Sequence, residues 1–303
     1  MSASKSAGTP YSLETSIWRH FRLRLPADWE MLQFSRNPEI GKCGFADRYN
    51  FRFELNWKVV PGAPDFDRML SDYAAKLGAS NHSGVKRVAR EGWRGLESST
   101  PTMLTSRFGR FFEEESCLLE VVFLWPGKHR DGSLQRKVLR SIRYESPTGD
   151  HLRRWRTLGM DFFVPDGLAL EECTALPARA EITFTDRRKR SRHQLSRLGL
   201  VDHWLKTPVT DHVKSGAAKA LKNMQDLSFE RNGHRITCLV GSMKSPPVPV
   251  FGPGRGVGLH CGWICPESGR LYHMTMRQPG SRAEDLLQWA ERLSCCSRKR
   301  LAS

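Results

Sequence analysis

A basic run in the second half of the chain holds the residues best suited to bind a ligand. Six cationic side chains occur between positions 187 and 197 with no acidic residue among them: Arg187, Arg188, Lys189, Arg190, Arg192 and Arg197. A loop that carries several cations can contact phosphate groups and release their counterions. It can equally pair with the carboxylates of a protein. We therefore predict that this run binds an acidic macromolecule, either a protein or a nucleic acid.

A glycine-rich segment, FGPGRGVG at 251–258, supplies one further candidate cation, Arg255. A phosphate-binding loop would continue as Gly-Lys-Ser/Thr into the N-terminus of a helix. Here the pattern of a strand, residues 259–264, follows instead. The segment therefore indicates a loop between strands, with Arg255 as an additional contact for a partner or a nucleic acid.

No group of residues has the spacing of an active site. The three glutamates at 113–115 are adjacent and are predicted to lie exposed in a hairpin turn, which does not favour acid–base catalysis. His203, His212 and His234 lack a nearby nucleophile pattern. We therefore predict no catalytic residues and a protein that is not an enzyme.

The composition agrees with binding to an acidic partner. The 303 residues include 48 Lys and Arg against 32 Asp and Glu, which gives a net charge of +16 and an isoelectric point near 9.8. Arginine outnumbers lysine 34 to 14, which is also typical of a GC-rich genome. The hydrophobic fraction of 39% is enough for two modest cores, and no apolar run reaches the ~20 residues that a membrane-spanning helix needs.

Short sequence matches indicate an internal duplication. Adding 139 to each number carries Pro26 onto Pro165 and the motif Phe45–Arg48 (FADR) onto Phe184–Arg187 (FTDR). Further along, a constant shift of 153 carries Gly109 onto Gly262 and the Pro-Gly pair ending at Gly127 onto the pair ending at Gly280. Because the matches keep one order, duplication explains them better than chance does.

The duplication bears on the cysteines. A zinc site could be imagined from His260, Cys261, Cys265, Cys295 and Cys296. However, the gap between the first two thiols differs from that of a CxxC knuckle, and the 153-residue shift places them on the apolar positions Phe108 and Phe112. We therefore predict core thiols, no metal site and no cofactor. Free thiols and an N-terminus without a signal-peptide pattern predict a cytoplasmic protein.

Hydrophobic periodicity predicts the same kinds of element in both halves. Alternating apolar residues indicate strands, and apolar residues three and four apart indicate helices. In the first half the predicted strands are 21–25, 51–59, 85–97 with a central turn, and 108–125, and the predicted helices are 65–77 and 133–142. In the second half the predicted helices are 209–224 and 281–293, the latter opened by a capping box from Ser281 to Glu284, and the strands are 227–240 and 257–276.

We therefore predict a flexible tail (1–16), a first repeat (17–145), a linker within 144–150 and a second repeat (151–297). The basic run is predicted to be an insertion, residues 187–197, in a hairpin of the second repeat. This follows because Trp57 lies 10 residues after Asp47, whereas Trp204 lies 18 after Asp186.

The order of these elements resembles that of the PsbP-like superfamily, which includes the photosystem PsbP proteins, the Ran-binding Mog proteins and the DcrB-like lipoproteins. The order is a strand, Pro26 to Trp29, a hairpin ending in F-x-D, a helix, further strands and a closing helix. The resemblance implies an α+β fold in which each tandem domain is an antiparallel sheet flanked by helices, an α/β/α sandwich. It also implies non-enzymatic binding or assembly roles.

Three functions follow from the sequence. The first is a non-catalytic binding or assembly module that engages an acidic protein. The second is a nucleic-acid-binding protein that uses the basic run of the second repeat. The third is an enzyme with an unrecognised site between the repeats. The sequence indicates neither the identity of the partner nor the oligomeric state.

Overall fold

The computed structural model describes residues 11–80, 82–127, 130–244 and 256–296. The chain divides between Glu145 and Ser146 into two compact units. Both units are built mainly from antiparallel sheets with a few helices, which is the α+β class expected from the sequence. In the described part of the chain, no helix is both long enough and apolar enough to cross a membrane.

The first unit is a seven-stranded antiparallel sheet with an additional small group of strands. Its strands are β1 (Leu13–Trp18), β2 (Phe21–Pro26), β3 (Glu30–Phe34), β4 (Ile40–Ala46), β5 (Phe51–Val59), β6 (Ser83–Arg90), β7 (Trp93–Ser99), β8 (Met103–Phe112), β9 (Cys117–Pro126) and β10 (Arg143–Tyr144). Its helices are α1 (Phe66–Gly78) and α2 (Gly132–Ser141). The strands of the large sheet lie in the order β3-β4-β5-β9-β8-β7-β6, and β2 pairs with both β1 and β10.

The second unit has a large sheet of the same kind. Its strands are β11 (Leu152–Thr157), β12 (Met160–Pro165), β13 (Ala169–Leu176), β14 (Arg179–Thr185), β15 (Arg192–Leu198), β16 (Leu221–Asp226), β17 (Phe229–Arg231), β18 (His234–Met243), β19 (Gly256–Cys265) and β20 (Arg270–Pro279). Its helices are α3 (Val201–Trp204), α4 (Val209–Ala220) and α5 (Ala283–Glu291). The sheet order is β13-β14-β15-β20-β19-β18-β16, β17 pairs with β18, and β11 pairs with β12.

The two large sheets follow the same order, strand for strand, when β3 is matched with β13 and β9 with β20. Helix α1 lies in the chain between β5 and β6, as α4 lies between β15 and β16. The shift of 139 carries β4 onto β14 and the shift of 153 carries β8 onto β19, in each case without change of length.

Alternation of buried and partly exposed residues explains why the central strands form. Phe53, Leu55 and Trp57 in β5 are buried, with polar or charged residues between them. Strand β9 lies between β5 and β8; one face of its nearly continuous apolar run is buried from Cys117 to Trp125, and the other face is partly buried. The ring centroids of Phe123 and Phe53 lie 5.1 Å apart in an edge-on arrangement, which stabilises the sheet beyond the burial of their apolar surface.

The structure corrects three boundaries. The predicted helix 209–224 ends at Ala220, because the chain then pairs with β18 as the edge strand β16. The predicted flexible tail includes residues 13–16, which belong to β1. The cap of α5 lies at Arg282, whose backbone N–H donates to Asp285 Oδ2 at 2.9 Å, and not at Ser281 and Glu284.

Candidate binding surface

The basic run forms a short turn and the strand that follows it. Arg187, Arg188, Lys189 and Arg190 lie in the turn between β14 and β15, whereas Arg192 and Arg197 lie in β15. Asp186 organises the turn: its backbone carbonyl accepts the Lys189 N–H at 2.9 Å, and its Oδ1 accepts the Arg190 N–H at 2.7 Å. Lys189 adopts a left-handed conformation with φ of 54°. The turn is thus a defined structure, because both strands and the Asp186 carboxylate constrain it.

The prediction of an insertion spanning 187–197 is wrong. The turn between β4 and β5 has four residues (47–50) and the turn between β14 and β15 has six (186–191), so the difference is two residues. In the first unit, Trp57 of β5 pairs with the second residue of β4 and with the third residue of β9. In the second unit, Arg197 of β15 pairs with the second residue of β14 and with the third residue of β20, so Arg197 is the residue equivalent to Trp57. Trp204 is instead the last residue of α3. The sequence comparison failed because it matched two tryptophans in different elements.

Two cations of the run pair with glutamates of the neighbouring strand β13. Lys189 Nζ lies 2.7 Å from Glu171 Oε1, and Arg192 Nη2 lies 3.8 Å from Glu172 Oε2. The hydrogen bond from Lys189 lowers the pKa of Glu171, and the same bond raises the pKa of Lys189. These two cations are therefore partly neutralised within the chain.

Three arginines of the turn remain directed to solvent. Arg187, Arg188 and Arg190 are exposed, and among the described residues no ion pair involves their guanidinium groups. Arg277 in β20 joins them, because its Nε donates to the carbonyl of Arg190 and its Nη2 to the carbonyl of Lys189, both at 2.8 Å. We call this set the cationic turn: Arg187, Arg188, Lys189, Arg190, Arg192 and Arg277.

The other two predicted binding residues lie elsewhere. Arg197 is half-buried, and its guanidinium packs over Gly159 so closely that a Cβ at that glycine would lie 2.6 Å from Nη1. It therefore contributes to packing, and it stands apart from the cationic turn. Arg255 lies outside the described residues, as does most of the glycine-rich segment 251–258.

The residues that the sequence analysis considered for a zinc site, and predicted to be core thiols instead, lie in different surroundings. Cys261 of β19 pairs with Cys238 of β18, and burial raises the pKa of the Cys261 thiol well above its usual value. His260 lies on the other face of β19 near α4, where burial lowers its pKa. Cys265, however, is the last residue of β19, and its side chain lies close to those of His234, Cys295 and Cys296. Sequence reasoning did not include His234 in this cluster, because His234 lies 31 residues before Cys265.

The comparisons with known proteins leave the family open. No family model matches the chain, and no curated protein matches it. Among solved structures, the chain is similar to the solution structure of the cyanobacterial PsbP protein CyanoP from Synechocystis sp. PCC 6803, with 15% identity and a TM-score of 0.32, over 49% of this chain and 96% of that one. It is also similar to the MucA/MucB complex of Pseudomonas aeruginosa, with 9% identity and a TM-score of 0.14, over 90% of this chain and 87% of that one. At these TM-scores neither similarity establishes a shared fold or contributes to the function proposed below.

Proposed function

We propose that the chain is a non-catalytic binding module that engages an acidic protein through the cationic turn. The observation that carries the proposal is the set of three exposed arginines, Arg187, Arg188 and Arg190, on one six-residue turn. Guanidinium groups pair with carboxylates through two parallel hydrogen bonds, which gives both attraction and geometry.

The fixed backbone of the turn favours binding. Strands β14 and β15 pair along seven residues up to the edge of the turn, and β15 also pairs with β20. Arg277 donates two hydrogen bonds to the turn backbone from β20. A preorganised turn loses less conformational entropy on binding than a mobile loop of the same charge does.

The neighbouring carboxylates favour an acidic protein over a nucleic acid. Glu171 and Glu172 on β13 lie beside the cations, at 2.7 and 3.8 Å from Lys189 and Arg192. A phosphate backbone laid across the turn would approach these carboxylates and be repelled by them. A polypeptide carries its carboxylates on separate flexible side chains, which can pair with the exposed arginines and turn away from Glu171 and Glu172, so that opposite charges are matched across the interface.

The proposal includes the finer architecture. The identical strand order of the two large sheets supports an internal duplication. In the second unit, the neighbouring residues Gly262 and Trp263 point to opposite faces of β19: Gly262 contacts Val213 of α4, while Trp263 donates a hydrogen bond to Cys295 after α5. Coverage of both faces supports an α/β/α sandwich. PsbP-like ancestry and a cytoplasmic location remain predictions from the sequence.

Neutralising the turn is expected to weaken binding to an acidic polypeptide by about tenfold. The variant is Arg187→Gln, Arg188→Gln and Arg190→Gln, and the probe is fluorescent poly-glutamate, with affinity measured by anisotropy. The magnitude follows because each exposed ion pair contributes about 0.5 kcal/mol. The full chain is used throughout.

The matched control replaces Lys206, Lys214 and Lys219 by Gln, which removes the same charge from exposed positions of the same unit. Its affinity should stay within about twofold of the wild type, since only long-range attraction changes. Equal losses in both variants would reduce the effect to net charge and contradict the proposal. Tighter binding to duplex DNA or single-stranded RNA than to poly-glutamate, lost in the arginine variant, would replace the protein partner by a nucleic acid.

A further inference from the structure

Four metal-binding side chains meet in the second unit. The ligand atoms of His234, Cys265, Cys295 and Cys296 all lie within 4.8 Å of one another. They come from three segments: His234 begins β18, Cys265 ends β19, and the two adjacent cysteines follow α5. His234 and Cys265 are buried and the other two are half-buried, so the cluster is largely shielded from solvent.

The distances match the edges of a zinc tetrahedron. With Zn–S bonds of about 2.3 Å and Zn–N bonds of about 2.0–2.1 Å, tetrahedral ligands lie about 3.8 Å apart for two sulfurs and about 3.6 Å apart for sulfur and nitrogen. The Sγ atoms of Cys295 and Cys296 are 3.8 Å apart. His234 Nε2 lies 3.4 Å from the first of these and 3.7 Å from the second. These three side chains therefore already have the spacing that coordination requires, and Cys265 Sγ lies within 4.8 Å of each of their ligand atoms.

Surrounding groups orient two of these ligands. His234 Nδ1 lies 2.9 Å from the backbone carbonyl of Asn232, so this nitrogen donates its proton and the lone pair of Nε2 faces the thiols. Trp263 Nε1 donates to Cys295 Sγ at 3.3 Å. A backbone carbonyl behind a histidine is the usual outer partner in metal sites, because it fixes the tautomer and the ring orientation.

The matching positions of the first unit are apolar. The first residue of β7 is Trp93 and the last of β8 is Phe112, and their rings contact at 6.1 Å. Phe21 adds a second edge-on contact with Phe112, at 5.2 Å. Where the first unit has packed aromatic rings, the second has an imidazole and a thiol at the same strand positions. Such polar groups do not replace the lost apolar packing, whereas a shared metal ion would hold the strands together.

We propose that His234, Cys265, Cys295 and Cys296 bind one zinc ion in a closed structural site, which fastens the segment after α5 to the ends of β18 and β19. Three thiolates and one imidazole form a known tetrahedral zinc set, with no position left open for substrate. Binding releases the three thiol protons to solvent, and no electron is transferred. The proposal is independent of the cationic turn.

The test is the zinc content of the full chain after expression with zinc and removal of loosely bound metal. We expect about one zinc per chain, and less than about a tenth of that in Cys265→Ser or Cys296→Ser, because three ligands hold the ion far more weakly than four do. The control is Cys173→Ser, which removes a half-buried thiol of β13 in the same unit and should keep the full zinc content.

Two further measurements keep the test decisive. Because Cys265 is fully buried, circular dichroism of each zinc-free variant is included, so that a loss of zinc by a folded chain is distinguished from a loss of the fold. Cobalt added to the zinc-free chain should give the visible ligand-field and thiolate charge-transfer bands of a tetrahedral site, and these should be absent in Cys296→Ser. A wild-type chain without zinc, another metal in its place, a disulfide among these thiols under reducing conditions, or full zinc content in both serine variants would overturn the proposal.

Discussion

Glu97→Gln is expected to destabilise the first unit by about 2–3 kcal/mol, because it removes a buried carboxylate charge that three partly exposed cations share. The Glu97 side chain is 1% exposed. Its Oε1 lies 2.6 Å from Arg130 Nη1 and 3.1 Å from Arg90 Nη2, and its Oε2 lies 3.3 Å from Lys86 Nζ. Arg90 also donates to the buried Gln135 at 3.1 Å, so the carboxylate connects β6 and β7 to α2. Loss of the buried negative charge weakens three charge-assisted contacts at once, and water around the partly exposed cations offsets part of that loss.

The measurement is urea denaturation of the full chain, followed by tryptophan fluorescence. The control is Asp67→Asn, which removes a carboxylate that also faces two arginines, Arg87 and Arg94, but is 75% exposed. Its effect should not exceed about 1 kcal/mol, because water screens exposed pairs. Equal decreases in the free energy of unfolding for both variants would show that the buried network contributes no more to stability than an exposed ion pair does.

Acidification from pH 7 to pH 5 is expected to destabilise the second unit by about 4 kcal/mol through two histidines. Burial lowers the pKa of His193 to about 4, and its hydrogen bond to Gln278 offsets this only in part. Burial, with the charges of His260 and His212, lowers the pKa of His273 to about 4. Both are neutral in the folded chain, whereas in the unfolded chain they bind protons below a pKa near 6.5. Their contribution is therefore complete above pH 6.5 and is lost as the pH falls toward 4.

His193→Phe should remove about half of this pH dependence. The position tolerates a ring, since Phe53 has the equivalent strand pairings in the first unit, with the sixth residue of β4 and the seventh of β9. The readout is the difference between the free energies of unfolding at pH 7 and pH 5. His203→Gln, an exposed control, should leave that difference unchanged. An unaltered difference in His193→Phe would contradict the assignment.

Local patterns predicted most of the elements. The alternation in β5 and the apolar spacing of α1 depend on residues close in sequence, whereas the Asp65 cap of α1, whose carboxylate accepts the Arg68 N–H at 3.0 Å, is seen only in the structure. The end of α4 was missed, because the helical pattern continues past Ala220 while pairing with β18 draws the next residues into β16. That pairing is a tertiary contact, which overrides local propensity.

The sites were less accessible to sequence reasoning. Counting from Asp186 to the next tryptophan could not show that β15 has Arg197 in the place of Trp57, so a six-residue turn was predicted as a longer insertion. The cysteines after α5 were visible as an adjacent pair, but His234 lies 61 residues before Cys295. Only the pairing of β18 with β19 and the position of the segment after α5 bring these side chains together.

We propose that the cationic turn is the surface that contacts an acidic partner. Hydrogen exchange of the full chain, recorded residue by residue with and without poly-glutamate, locates the contact directly. We expect slower exchange of the amides at 187–191 and of those flanking Arg277, and no change in the first unit. Protection elsewhere with unchanged exchange at 187–191 would contradict the claim.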